Sequence, residues 1–171
     1  MSLPQPTILL DKMSRDLHSL MAQQQNEVVM IGIHTGGAWV ARQLHQSLNI
    51  ASELGSLDIS FYRDDFSQKG LHPQIKRSQL GDIENKTVIL VDDVIMSGRT
   101  IRAAMNELFD YGRPQRIILA CLLDTGRREL PIQADVVGAT LSLATNQRIK
   151  LGGPTPLTLS IATLAQQGIT A

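Results

Sequence analysis

Val88-Ile89-Leu90-Val91-Asp92-Asp93-Val94-Ile95-Met96-Ser97-Gly98-Arg99-Thr100 decides the reading of this chain. Its first four residues have the length and β-branched content of a buried strand. Asp92 and Asp93 follow where that strand should end. Residues 96–100 make a short loop of small and polar residues, and helical spacing begins at Arg99. The order places two carboxylates and a run of backbone N–H groups at one end of a sheet. Open α/β sheets bind ligands at that end, and the N–H groups of a loop at a helix start take anions. Ionised carboxylates only accept hydrogen bonds. They suit a pair of sugar hydroxyls, directly or through Mg²⁺, which takes one or two carboxylates plus water and phosphate oxygens. The loop offers N–H groups, two hydroxyls and Arg99 to a terminal phosphate. Together these features fit a ribose 5-phosphate.

The flanks repeat the pattern. Residues 28–33 are a continuous apolar run, as in a strand buried on both faces. It ends at His34-Thr35-Gly36-Gly37, a second glycine-containing loop at a helix start, with Ala38, Ala41, Leu44 and Leu48 expected inward and Trp39 beside them. After the central motif, Ile101, Ala104, Met105, Leu108 and Phe109 share one helical face, and Gly112 with Pro114 marks the helix end. Residues 116–123 form another apolar strand, ending at the corner Leu123-Asp124-Thr125-Gly126. A short strand is expected over 134–138. The strand ends at His34, Asp92 and Asp124 therefore belong on one rim.

Elsewhere the signals are plainer. Residues 1–7 should be an extended arm. From Leu10, the residues Leu10, Met13, Leu17, Leu20 and Met21 recur at helical spacing, with Asp11 as N-cap or first-turn acid and Arg15 and His18 off the apolar stripe. Residues 57–62 read as a third strand. Residues 63–86 lose all pattern and carry Arg63, Asp64, Asp65, Lys76 and Arg77; so long a loop in a compact domain suggests a lid over the site. One arm of a hairpin is expected over 74–78. Gly152, Gly153, Pro154 and Pro156 make a break, and residues 157–164 form a last strand or a short helix.

Composition narrows the function classes. A length of 171 residues fits one domain, 1–171, with a substantial core. Formal net charge is zero, so no global field draws the chain to nucleic acid or a membrane. The lone Cys121 lies in an apolar run and reads as a buried structural thiol. No segment has the apolar length of a membrane span or the regions of a signal peptide, so a cytoplasmic location is expected. There is no Gly-Lys pair for a nucleotide P-loop and no dinucleotide fingerprint after the first strand. A phosphoacceptor aspartate pair would leave the Ser97-Gly98-Arg99-Thr100 loop without a role.

At residues 88–100 the chain resembles the phosphoribosyl pyrophosphate (PRPP) motif of type I phosphoribosyltransferases. The stretches 58–65, 70–73, 88–114 and 128–132 resemble, within that group, the family of bifunctional pyrimidine operon regulators and uracil phosphoribosyltransferases. The similarity spans a core of about 28–138. It implies an α/β fold with a mainly parallel sheet, flanking helices, a flexible lid at about 63–86 and a small hood made by the chain ends. It implies transfer of phosphoribosyl from PRPP to uracil, giving UMP and pyrophosphate with Mg²⁺, in a homo-oligomer (dimer or larger). By this resemblance Asp92 and Asp93 bind the ribose hydroxyls, and touch Mg²⁺ indirectly through PRPP or water. Residues 96–100 hold the 5-phosphate, the 34–37 loop contacts pyrophosphate, and the 123–126 corner lies near the base. UMP-dependent binding to pyrimidine operon mRNA is a second implied function, which a neutral chain supports less than catalysis. Alternatives are a PRPP- or nucleotide-sensing regulator with little turnover, and a related enzyme using another base.

Two departures stand out. The related pyrophosphate loops carry Thr-Arg-Gly where this chain has Thr35-Gly36-Gly37, and the base corner carries Asp-Arg-Gly where this chain has Asp124-Thr125-Gly126. Both remove an expected cation.

Overall fold

A computed structural model describes residues 3–59 and 78–164. The core is a five-stranded sheet in the order β2-β1-β3-β4-β5, with every pairing parallel. The strands are β1 (Val28–Ile33), β2 (Gly55–Leu57), β3 (Thr87–Ile95), β4 (Arg116–Asp124) and β5 (Val136–Thr140). Helices α1 (Pro6–Met21), α2 (Gly36–Ser47) and α3 (Arg99–Tyr111) supply the flanking layers. Residues alternate along β3: Ile89 and Val91 join the core under α1 and α2, while Val88 and Leu90 join the core under α3. A strand covered on both faces has no polar face to offer, which is why residues 88–91 are apolar throughout and fully buried.

An antiparallel hairpin of β6 (Gln147–Gly152) and β7 (Thr158–Thr163) stands apart from the main sheet. Its turn runs through Gly153 and Pro154 and packs on α2. A Cβ at Gly153 would come within 2.6 Å of the Trp39 ring and 2.8 Å of Leu157, so only glycine allows this approach.

Several expectations need correction. The N-terminal arm is shorter, because Pro6 starts α1; proline suits a first helical position, where its missing N–H costs nothing. Asp11 is consequently beyond the first turn, exposed, and caps nothing. The described hood is the C-terminal hairpin alone, since α1 packs against β4, β5 and α2. Strand β2 lies at Gly55–Leu57, where it pairs with Ile31–Ile33; of the strand expected over 57–62, residues 58 and 59 are not strand, and 60–62 lie outside the described residues. Strand β5 sits two residues later than expected, set by the Ala120↔Val136 pairing. Phe109 is 50% exposed and not part of the inner face of α3. Residues 157–164 resolve as a strand, and its partner β6 had no expectation. The expected lid residues Arg63, Asp64, Asp65, Lys76 and Arg77 lie outside the described residues, as does nearly all of the 74–78 arm. Close by, Gln79 exchanges backbone hydrogen bonds of 2.8 Å with Ser56.

Candidate functional site

Because every strand of the sheet is parallel, the carboxyl ends of β1, β3 and β4 share one edge. His34, Asp92 and Asp124 thus fall on the one rim predicted from the sequence. Strand β3 is longer than expected, however. It continues through Asp92 and Asp93 to Ile95, with Asp92 registered against Cys121 and Ile95 against Asp124. The neighbouring β4 runs on to Asp124 and keeps offering ladder partners, so the acidic pair lies within the strand.

Consecutive residues of a strand point to opposite faces, and the two carboxylates diverge accordingly. Asp92 is 2% exposed. Its Oδ1 accepts the Asp93 backbone N–H at 2.9 Å. Asp93 is half-buried beside the start of α2. A Cβ at Gly36 would stand 2.3 Å from Asp93 Oδ2, and one at Gly37 would stand 2.6 Å from the Val91 carbonyl. The two glycines therefore let the first turn of α2 sit directly on β3. A longer residue at 36 has no room while Asp93 keeps its place. At position 36, where a cation was expected, the chain has a glycine packed against the Asp93 side chain. His34 N–H donates to Leu57 O at 2.9 Å, which ties this loop to β2, and the His34-Thr35 peptide is cis. A cleft of about 390 Å³ opens here, lined by His34, Ala38, Arg42 and Ser56 among others.

The loop after β3 is built differently. Gly98 has φ +92°, a left-handed conformation suited to glycine, and directly precedes α3. The first N–H groups of a helix have no intrahelical acceptor; that of Arg99 donates to Ser97 Oγ at 3.3 Å, and those that follow lie beside the Thr100 hydroxyl. The outer side of this loop is held by residues 128–132. Glu129 N–H and Leu130 N–H donate to Ser97 O at 3.0 and 3.1 Å. Arg128 Nη1 donates to Met96 O at 2.8 Å. Arg99 pairs with Glu129 at 2.9 Å on the surface.

At the corner after β4, Thr125 is 7% exposed, and its N–H donates to Ile95 O at 3.1 Å. It braces the two strand ends and faces inward. A different cation meets this corner from within the protein: Arg128 Nη2 pairs with Asp124 Oδ2 at 2.6 Å. Arg128 was not singled out as a site residue, although Asp124 and Arg128, four residues apart around Gly126, were a visible signal. Asp124 Oδ1 also accepts Gly126 N–H at 2.7 Å. Arg127 reaches the Leu143 carbonyl in the segment leading to the hood.

Cys121 lies behind Asp92, fully buried. Burial, and then the nearby Asp92 charge, push its thiol far above the ordinary range. It is inert structure, as expected. On the opposite edge of the sheet, Lys86 is held protonated by its hydrogen bond to Glu27, with Asp82 adding to the effect. That edge contributes nothing to the rim.

The acidic pair, the glycine-kinked loop and the corner occur in a chain with close relatives. The sequence matches the phosphoribosyl transferase domain family over residues 4–150. It is 58% identical over 167 residues to the bifunctional protein PyrR of Pseudomonas fluorescens, covering 96% of this chain and 99% of that protein. The PyrR protein of Pseudomonas putida W619 is 56% identical over the same length, covering 96% and 97%. Among solved structures, a hypoxanthine phosphoribosyltransferase from Staphylococcus aureus superposes with a TM-score of 0.63 at 23% identity, covering 83% of this chain and 78% of that one. A hypoxanthine-guanine phosphoribosyltransferase from Bacillus anthracis gives 0.65 at 24%, covering 82% and 83%. At such identities the structures speak for the fold, and they agree with the parallel sheet and helices described above. The family match and the near full-length identity together settle membership: this chain belongs to the phosphoribosyl transferase domain family and, within it, to the PyrR proteins.

Proposed function

We propose that this protein transfers the phosphoribosyl group of PRPP to uracil, forming UMP and pyrophosphate, and that it also serves as a UMP-responsive regulator of pyrimidine genes. The observation that carries the reading is the Asp92–Asp93 pair on β3 followed at once by the glycine-kinked loop into α3. In this reading the carboxylates accept the ribose hydroxyls, and residues 96–100 surround the 5-phosphate. The 34–37 loop faces the pyrophosphate, and the 123–126 corner faces the base.

The chemistry asks little covalent work of the protein. Breaking the bond between C1 of the ribose and the pyrophosphate oxygen builds positive charge on the ring; uracil N1 then bonds to C1 and gives up its proton to water or to the departing pyrophosphate. Catalysis of this kind rests on positioning and on charge placed in advance. Asp92 and Asp93 put negative charge beside the ribose, and the N–H groups at the start of α3 anchor its phosphate. Because the two carboxylates diverge from one strand they do not form an all-protein cage; they would touch a Mg²⁺ ion indirectly, through PRPP or water. Among the described residues no cluster of three or more His, Cys, Asp or Glu could hold a metal on its own. Mg²⁺ would accompany PRPP and neutralise its departing pyrophosphate.

The regulatory half follows the relatives' description as bifunctional. A pyrimidine operon mRNA is the partner it would take, read through a basic surface whose affinity falls with salt. A homo-oligomer, dimer or larger, working in the cytoplasm completes the reading; among the described residues no helix is long and apolar enough to cross a membrane.

The test is a product assay with PRPP, Mg²⁺ and a panel of bases. UMP from uracil, and little product from orotate, hypoxanthine or guanine, is the expected result. Turnover of a purine instead of uracil would move the chain to another base, and no product from any base would remove the enzymatic half.

A further inference from the structure

We propose that Arg128 is a positioning residue for the phosphate half of the site: its guanidinium fixes the outward turn of the loop that receives the ribose phosphate. This rests on the reading that residues 96–100 hold a phosphate. Arg128 uses three separate nitrogens on three separate segments. Nη1 donates to Met96 O at 2.8 Å, Nη2 to Asp124 Oδ2 at 2.6 Å, and Nε to Ile132 O at 2.7 Å. The ion pair is largely shielded, with side-chain exposures of 22% and 15%. One rigid fork thus joins the loop after β3, the corner after β4 and the segment beyond it.

The consequence for the loop follows from peptide geometry. In a planar trans peptide the C=O of one residue and the N–H of the next point in opposite directions. Arg128 takes the Met96 carbonyl, and the N–H groups of Glu129 and Leu130 take the Ser97 carbonyl, all from the 128–132 side. The N–H groups of Ser97 and Gly98 are therefore turned to the other side, while the next N–H, that of Arg99, donates to Ser97 Oγ at 3.3 Å. A concave set of N–H groups is what an anion needs. Gly98 packs against the same buttress, with Leu130 and Ile132 only 3.5 and 3.4 Å from where its Cβ would be. Removing Arg128 frees the Met96 carbonyl to swing toward the phosphate. Lysine cannot reproduce the fork, because one ammonium replaces a planar set of fixed donors.

The experiment measures ribose 5-phosphate binding by calorimetry, which needs no turnover, alongside PRPP and uracil kinetics. Arg128→Ala should weaken ribose 5-phosphate by about tenfold or more, in line with losing charged hydrogen bonds, and raise the KM for PRPP in parallel. Arg128→Lys should fall between. Arg127→Ala, which loses the link to Leu143 instead, should leave ribose 5-phosphate affinity within about twofold, a factor small beside the tenfold of a charged hydrogen bond. Near-UV circular dichroism checks folding; should Arg128→Ala not fold, Arg128→Lys carries the test, and full affinity in that variant overturns the proposal. Unchanged affinity in folded Arg128→Ala overturns it too, as does an equal loss in Arg127→Ala, which would mean general loosening of the segment. A wild-type protein that binds ribose 5-phosphate but makes no UMP contradicts the enzymatic reading and leaves this proposal standing. No ribose 5-phosphate binding by the wild type removes both the phosphate site and the role of Arg128.

Discussion

The two halves of the rim are built on different principles. The half after β3 is over-determined: a left-handed glycine, a helix start, and a second segment that grips two consecutive carbonyls from outside. The half after β1 is tied to β2 by a loop hydrogen bond, His34 N–H to Leu57 O. It depends on two glycines that let α2 lie on β3, with Gly36 against Asp93 and Gly37 against Asp92. A hydrogen-bonded frame holds donors in place before a ligand arrives, which favours tight binding. A close-packed glycine contact fixes a distance but contributes no charge. The difference teaches that, on the proposed reading, the ribose phosphate would meet donors held by the frame, whereas the leaving pyrophosphate would draw on backbone and on groups beyond Gly36.

The largest expected effect comes from removing the charges where the halves meet. Asp92→Asn with Asp93→Asn should lower kcat/KM for PRPP by about 10³-fold or more, since a single preorganised electrostatic group is worth 10²–10³. Unfolding in urea should show the fold retained. Turnover near the wild-type level would detach the acidic pair from the ribose.

Next is Gly36→Arg, which restores the residue that related loops carry. A Cβ there would fall 2.3 Å from Asp93 Oδ2, so Asp93 must move. Displacing a reacting group by about an ångström costs on the order of 10²-fold. We expect kcat/KM to drop by roughly ten- to a hundredfold, a loss set by that displacement. A gain in activity would show that the glycine packing is not what sets this half.

How much of this was legible follows from what each residue type signals. The strands of continuous apolar residues, β1 and β4, and the start of β3 were readable because burial on both faces leaves no other pattern. The end of β3 was not: two aspartates look like a strand's end, and only the length of β4 alongside shows that the ladder continues. Strand β6 escaped because Gln147, Arg148 and Lys150 surround one buried residue, Ile149, in a hairpin with little core to cover. The three loops that share the rim were legible from carboxylates and glycines. What joins them was not. Arg128 acts through contacts to Met96 and Ile132 that no spacing rule announces, and the clash at Gly36 exists only once α2 is laid on β3.

Smaller effects sharpen the contrast. Cys121 is registered behind Asp92 in the framed half, and its thiol is strongly disfavoured from ionising by burial. It should resist thiol reagents at pH 8 in the native protein and react readily in denaturant; fast native labelling would mean that the frame opens. The linkage has a definite sign. The folded thiol ionises only above the value reached in the unfolded chain, so the unfolded state alone loses its proton as pH passes 9, and stability falls with rising pH there. The smallest effect is expected from Glu129→Ala. Its partner Arg99 and Glu129 itself are 61% and 57% exposed, so the pair should contribute no more than about 0.5 kcal/mol by chemical denaturation. The backbone N–H of residue 129 still holds the Ser97 carbonyl.

The most direct test of the account is a calorimetric titration of the wild-type protein with PRPP in Mg²⁺, repeated with Asp92→Asn and Asp93→Asn combined. The account predicts saturable binding at one PRPP per chain in the wild type and its loss in the double variant. Wild-type protein that fails to bind PRPP, or a double variant that binds it as well as the wild type, would contradict the assignment of the β3 carboxylates and their loop to the sugar phosphate.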